Sequence, residues 1–228
     1  MKRILLTLAI AIGLGLAPGF AAVASAANKI YVVHGILNVP VNVWVNGGEV
    51  LSNFTFGTIA GPLDLPAGDY AIQLKTTDNA SVIYSETLTV PAGDDWNISI
   101  TAHVNAVGAP DLTPFINANT EIAEGQARLG VRHAAFAPAV DVVVSGDVPK
   151  GKGGVLLPGV VSTQGAVLDV PVDDYAIWLR VSKNGGKGNA KPVLKPVNLK
   201  AEEATAYYIF AVGSVADGTF QYLIQVNP

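Results

Sequence analysis

The chain contains no cysteine and one methionine among its 228 residues. The lack of cysteine excludes disulfides, thiolate metal ligands and cysteine nucleophiles. Histidine is also scarce, with three residues, charged residues make up only 14% of the chain, and helical patterns are nearly absent. Stability must therefore come from the burial of apolar surface, which fits the hydrophobic content of 50%.

The first 26 residues have the order of a secretory signal. A basic start, Met1-Lys2-Arg3, precedes an apolar stretch from Ile4 to Leu16 and the small residues Ala24-Ser25-Ala26. We predict that residues 1–26 are a signal peptide and that the rest of the chain is exported, to the periplasm, the cell surface or the medium. The apolar stretch is too short for a comfortable membrane span, so no stable membrane insertion is expected after cleavage.

The rest of the chain contains one pattern twice. The first part recurs 99 positions later and the second part 105 positions later. Paired positions include His34 and His133, Asn42 and Asp141, and Tyr70 and Tyr175. A repeat of roughly 100 residues is the size of a whole domain. We predict two related domains, residues 27–120 and 121–228.

Short runs rich in valine, isoleucine, threonine and aromatics alternate between apolar and polar residues, and turn residues separate them. This pattern predicts seven short strands in each copy. Asn46-Gly47-Gly48, for example, provides the positive φ of a tight turn between strands. The fold class predicted is all-β, as two tandem immunoglobulin-like antiparallel β-sandwiches joined by a short linker.

The second copy opens with Val131-Arg132-His133-Ala134, then Pro138 and Val140-Asp141-Val142. These residues resemble the opening of the DUF4397 family, and the likeness extends over nearly all of the chain after residue 26. The resemblance implies a β-sandwich outside the cytoplasm and no established activity. Both copies lack the serine-proline-aspartate turn usual after the histidine, and the first copy has Asn42 in place of the aspartate. The resemblance therefore implies that binding through a carboxylate of that turn has been lost.

The histidines of the repeat are the polar residues that most resemble a site. We predict a structural role for His34 and His133, with each imidazole bonded to turn backbone or to the side chain of Asn42 or Asp141. One histidine and one acid per copy are too few ligands for a metal ion. No metal or cofactor is predicted. No nucleophile-elbow pattern accompanies the histidines, so no enzymatic activity is expected, although a hydrolase with an unrecognised serine, histidine and acid site stays an alternative.

Two tryptophans lie on the outward side of their predicted strands. Alternation points Val41, Val43 and Val45 inward and leaves Trp44 outside; Trp178 follows the same logic. Each is covered by a loop or the sister domain, or it forms a docking surface for a glycan or a protein. Lysines are concentrated in the same part of the second copy, which favours a solvated loop or a contact with an anionic envelope polymer: Lys183, Lys187 and Lys191.

Charge is distributed unevenly along the chain. Residues 27–125 contain two basic and ten acidic side chains, whereas residues 126–228 contain ten basic and eight acidic ones. The acidic balance disfavours nucleic acid as a partner. We predict a noncatalytic exported module for binding, adhesion or structure, with a cell-envelope glycan or another envelope protein as partner. Self-assembly through the oppositely charged halves is the remaining alternative.

Overall fold

A computed structural model describes residues 28–37, 39–93, 95–145, 154–183 and 195–228. The predicted signal peptide lies outside these residues, as do Lys187 and Lys191 of the lysine-rich segment. Sixteen β-strands make up the described part of the chain, in which no helix is present. The all-β fold class and the two sandwiches predicted from the repeat are confirmed.

Each copy of the repeat supplies eight strands. The first copy contains β1 (Asn28–His34), β2 (Val41–Val45), β3 (Gly48–Phe54), β4 (Ile59–Leu65), β5 (Gly68–Thr76), β6 (Val82–Val90), β7 (Asn97–Val104) and β8 (Pro110–Asn117). The second copy contains β9 (Gln126–Phe136), β10 (Val140–Ser145), β11 (Gly154–Val160), β12 (Gly165–Pro171), β13 (Asp174–Val181), β14 (Val197–Lys200), β15 (Ala206–Ser214) and β16 (Gln221–Asn227).

The strands form four four-stranded sheets, two in each sandwich. The first outer sheet has the order β3-β2-β5-β6 and the first inner sheet the order β4-β1-β7-β8. In the second copy the corresponding orders are β11-β10-β13-β14 for the second outer sheet and β12-β9-β15-β16 for the second inner sheet. The two copies therefore share one topology.

Two details of the strand prediction were wrong. Each copy has eight strands rather than seven, because β3 and β11 were not predicted; β3 is an edge strand whose sequence, Gly-Glu-Val-Leu-Ser-Asn-Phe, has no sustained apolar face. The sheets are also not purely antiparallel, since β1 pairs with β7 and β9 with β15 in parallel. The tight turn is confirmed: Asn46 and Gly47 have φ of 49° and 81°, which joins β2 and β3 by a type I′ hairpin.

A third core lies between the two sandwiches. Inside each sandwich, aliphatic and aromatic side chains fill the space between the outer and inner sheets. The far faces of the two inner sheets also pack on each other, through Val33 and Phe115 from the first copy and Tyr208, Phe210 and Val212 from the second. Strand β15 is consequently buried on both faces along its whole length. The two sandwiches therefore pack directly on each other and form a stack of four sheets.

Polar groups cross the same interface. The Arg132 guanidinium donates hydrogen bonds to the Ile116 carbonyl (2.9 Å) and the Asn117 amide oxygen (3.3 Å). The Tyr208 hydroxyl donates to the Ala118 carbonyl at 3.0 Å, and the Ser99 hydroxyl donates to Gln225 at 2.7 Å. These bonds come from side chains that are nearly or fully buried, so they fix one orientation between the copies.

Candidate functional site

The turn histidines, His34 and His133, are fully buried and make the same two bonds. Nε2–H of His34 donates to the Val39 carbonyl at 3.1 Å, while Nδ1 accepts from the Ile36 amide at 3.2 Å. In His133 the distances are 3.2 Å to the Pro138 carbonyl and 3.3 Å from the Ala135 amide. Burial lowers the pKa of both imidazoles, so both are neutral at pH 7. With both ring nitrogens used by the turn, neither histidine is positioned to act as a general base.

The other repeated polar pair, Asn42 and Asp141, bonds to neighbouring strands rather than to the histidines. The Asn42 side-chain oxygen accepts from the Asn53 amide at 2.8 Å, and the Asp141 carboxylate accepts from the Gly159 amide at 2.9 Å. Asn53 and Gly159 both have positive φ and belong to the edge strands β3 and β11. The side chains of Asn42 and Asp141 therefore stabilise the positive-φ residue of each edge strand. The predicted alternative, a hydrogen bond between the imidazole and Asn42 or Asp141, is wrong.

Trp44 lies half-buried on the face of the first outer sheet that points away from the core. Its indole N–H donates to the Asn79 side-chain oxygen at 3.1 Å, and the Lys75 ammonium lies 3.7 Å above its ring. Glu49 accepts from the Asn79 amide at 3.1 Å, and Gln73 is the cross-strand neighbour of the tryptophan. We call this set, Trp44 with Glu49, Gln73, Lys75 and Asn79, the first tryptophan face. The sister sandwich packs on the other sheet, so it does not cover this face.

Trp178 occupies the corresponding position of the second outer sheet. Tyr175, Ile177 and Leu179 of the same strand are buried in the core, which leaves the half-buried Trp178 on the opposite side. Arg180, two residues along, pairs with Asp141 at 3.3 Å. We call Trp178, with Val143, Asp141 and Arg180, the second tryptophan face. Val143 and Asp141 are buried, so Trp178 and Arg180 are the side chains of this face that reach the surface.

The strand register shows that the two faces are one site in two versions. Trp44 on β2 is paired with Gln73 on β5, and Val143 on β10 is paired with Trp178 on β13. Because Val143 is the repeat equivalent of Trp44, and Trp178 that of Gln73, each copy has one tryptophan at this cross-strand pair, contributed by opposite strands. The neighbouring cross-strand pair is Asn42 with Lys75 in one copy and Asp141 with Arg180 in the other. Sequence reasoning found both tryptophans but missed this equivalence, which needs the pairing of the strands.

The remaining predicted residues do not join these faces. Lys183 is exposed just beyond the end of β13, and it is the one lysine of the predicted group that the structure describes. The third tryptophan, Trp96, is half-buried against the core of the first sandwich, and its indole N–H donates to the Ala92 carbonyl at 3.4 Å. It therefore lies away from the outer sheet face.

Metal-ligand clusters and membrane-spanning helices are two further features that could indicate a function. Among the described residues, no cluster of three or more histidine and acidic side chains is arranged to hold a metal ion. That part of the chain also includes no helix with the length and hydropathy needed to cross a membrane. The third histidine, His103, is buried with Nε2 at 2.8 Å from the Thr113 hydroxyl, and burial lowers its pKa as well.

Comparisons with known proteins give a family and distant structural likenesses. The model of a domain of unknown function, DUF4397, matches residues 28–143, which is just over half of the chain. A search of the curated proteins gives no significant match.

Among solved structures, a streptococcal virulence factor described as binding alpha-glucan is 10% identical, with a TM-score of 0.28 over 85% of this chain and 95% of that one. A family 26 carbohydrate-binding module of Eubacterium rectale in complex with maltoheptaose is 8% identical, with a TM-score of 0.27 over 88% and 98%. The TIE protein of Bacillus anthracis is 11% identical, with a TM-score of 0.26 over 83% and 34%. At TM-scores this low, the likenesses assign no ligand to this chain.

Proposed function

The chain belongs to the DUF4397 family, and from that premise we propose that it is a noncatalytic, exported module that binds a neutral glycan through its tryptophan faces. The observation that carries the proposal is the outward Trp44 and its surroundings. Repeat-equivalent polar residues elsewhere serve the fold, whereas this tryptophan is left half-buried on an outer sheet without a covering domain. The Lys75 ammonium lies over part of the ring, and the apolar surface that stays exposed favours a partner that covers it.

The chemistry around the ring fits a sugar. A pyranose presents an apolar C–H face, which stacks on an indole, and a rim of hydroxyls, which bond to carboxylates, amides and amines. Glu49, Gln73 and Asn79 provide acceptors and donors beside the Trp44 ring. Each face contains one acidic and one basic side chain, Glu49 and Lys75 on the first and the ion pair of Asp141 and Arg180 on the second. Balanced charge favours a neutral polymer over an anionic or cationic one.

The absence of catalysis is part of the proposal. The turn histidines use both ring nitrogens for backbone bonds, so neither is available to activate a serine or a water molecule. Export to the periplasm or the cell surface is proposed from the signal-like start of the sequence.

Retention on neutral polysaccharides tests the binding. Amylose, cellulose, laminarin and mannan are immobilised separately, and the wild type is compared with a Trp44→Ala/Trp178→Ala variant. A tryptophan that anchors a ligand contributes about 2 kcal/mol, so the double variant should bind the retained polysaccharide at least roughly 30-fold more weakly. Its melting temperature should change little, because both side chains are outside the cores.

The control variant is Trp96→Ala. It removes the same side chain from the edge of a core, so it should lower the melting temperature and leave retention intact. Equal retention of the wild type and the double variant would contradict the proposal. Release of reducing ends from any of the polysaccharides would contradict the noncatalytic part.

A further inference from the structure

We propose that the two tryptophan faces are independent sites directed to opposite sides of the molecule, so that one chain bridges two glycan strands. This inference rests on the proposed function and adds the number, direction and use of the sites. It starts from the equivalence of the two faces, which places one tryptophan at the same cross-strand pair in each outer sheet.

The stacking of the sheets sets the directions. Each inner sheet uses one face for the core of its own sandwich and the other face for the core shared between copies. Both outer sheets are therefore at the ends of the stack, and their faces opposite to the cores point away from each other. On the second of these faces Val143 and Asp141 are buried, and Trp178 stays half-exposed. Packed sheets are about 10 Å apart, so three intervals place the outer sheets about 30 Å from each other.

The shared core prevents the two faces from turning toward one another. It is apolar at its centre, and the buried guanidinium of Arg132 and hydroxyl of Tyr208 bond to the backbone of the first copy and of the segment after it. A further side chain holds the same segment, because Arg128 donates to the carbonyls of Ala118 and Thr120 at 3.2 and 2.7 Å. Such contacts are typical of a rigid interface rather than a hinge.

Two sites on opposite sides of a molecule bind glycans differently from two sites on the same side. Two sites on a common surface engage a single polymer chain, and the second contact gains from a high effective concentration. Rigid sites on opposite sides cannot both contact one short oligosaccharide. The expected behaviour is two independent binding events per chain with short ligands, and cross-linking with long or immobilised ones.

Two measurements test this, using the polysaccharide that the wild type retains. Calorimetric titration with its heptasaccharide should give two sites per chain in the wild type and one in Trp44→Ala or in Trp178→Ala, with the affinity of the surviving site changed less than twofold. Beads coated with the polysaccharide should be agglutinated by the wild type, while each single variant should still bind the beads and agglutinate them at least tenfold less.

The outcomes separate the two proposals. If the wild type binds one heptasaccharide per chain, the bridging proposal is overturned and the proposed glycan binding stands. Full agglutination by a single variant also overturns it, because one remaining site per chain then suffices. A wild type retained on none of the polysaccharides removes the proposed function and bridging together.

Discussion

Replacement of Gly130 by alanine should destabilise the whole molecule, because this glycine makes room for a ring of the shared core. Gly130 on β9 is paired with Tyr208 on β15. A Cβ at Gly130 would overlap Cδ1 of the Tyr208 ring and lie 2.8 Å from Cε1. Tyr208 is fully buried and its hydroxyl is bonded to the Ala118 carbonyl, so a shift of the ring would disturb both its packing and this hydrogen bond.

The magnitude follows from three contributions. Overpacking of a dense core costs about 1–3 kcal/mol, and disturbance of the tyrosine hydrogen bond costs about 1 kcal/mol. Alanine also reduces the entropy of the unfolded chain, which offsets about 0.4–1 kcal/mol. The free energy of unfolding should therefore fall by about 2 kcal/mol, which for a domain of this size lowers the melting temperature by about 4–8 °C.

Differential scanning calorimetry measures both the size and the form of the effect. Because the copies share a core, the whole transition should move as one rather than splitting into two. Gly154→Ala is the matched control. A Cβ at residue 154 would meet no atom within 4 Å, and the φ of Gly154 is not positive, so the stability of this variant should equal or slightly exceed that of the wild type. A Gly130→Ala protein that melts at or above the wild-type temperature would refute the packing argument.

Three further results are expected. Arg128→Ala should lower the free energy of unfolding by about 2 kcal/mol in urea, because the buried Arg128 guanidinium bonds to the partly exposed Asp169 carboxylate and to two backbone carbonyls. Lys29→Ala, at the repeat-equivalent but exposed pair, should change it by less than about 1 kcal/mol, and equal losses would contradict this. Stability should fall as the pH drops below about 6.5. Burial lowers the folded-state pKa of the turn histidines, so the unfolded chain binds protons at these histidines before the folded chain does. A melting temperature that stays constant between about pH 7.5 and 5 would contradict this. Lys75→Ala should raise glycan affinity about two- to fivefold by uncovering the Trp44 ring, because the contact between ammonium and ring is worth about 0.5–1 kcal/mol. A loss of affinity would show instead that the ammonium contacts the ligand.

Sequence reasoning located the repeat and the outward tryptophans, because alternation along a strand fixes which side chains share a face. It missed β3 because edge strands need no apolar face. It also did not use the unbroken apolar run from Tyr207 to Val212, which indicates burial on both sides of the strand. The charge difference between the halves suggested complementary packing, whereas the interface observed is mainly apolar, with hydrogen bonds from arginine and tyrosine.

The sequence by itself determined local properties: the β class, the two copies, the type I′ turn and the side of the strand on which each tryptophan lies. These depend on residues close together in the chain, whose conformational preferences and periodicity are visible in the order of letters. Only the tertiary structure decided which faces meet. Strand pairing brought Trp44 opposite Gln73 and Val143 opposite Trp178, and the packing of the inner sheets turned the two tryptophan faces apart. Contacts between residues far apart in the chain depend on the fit of whole surfaces, which no local pattern records.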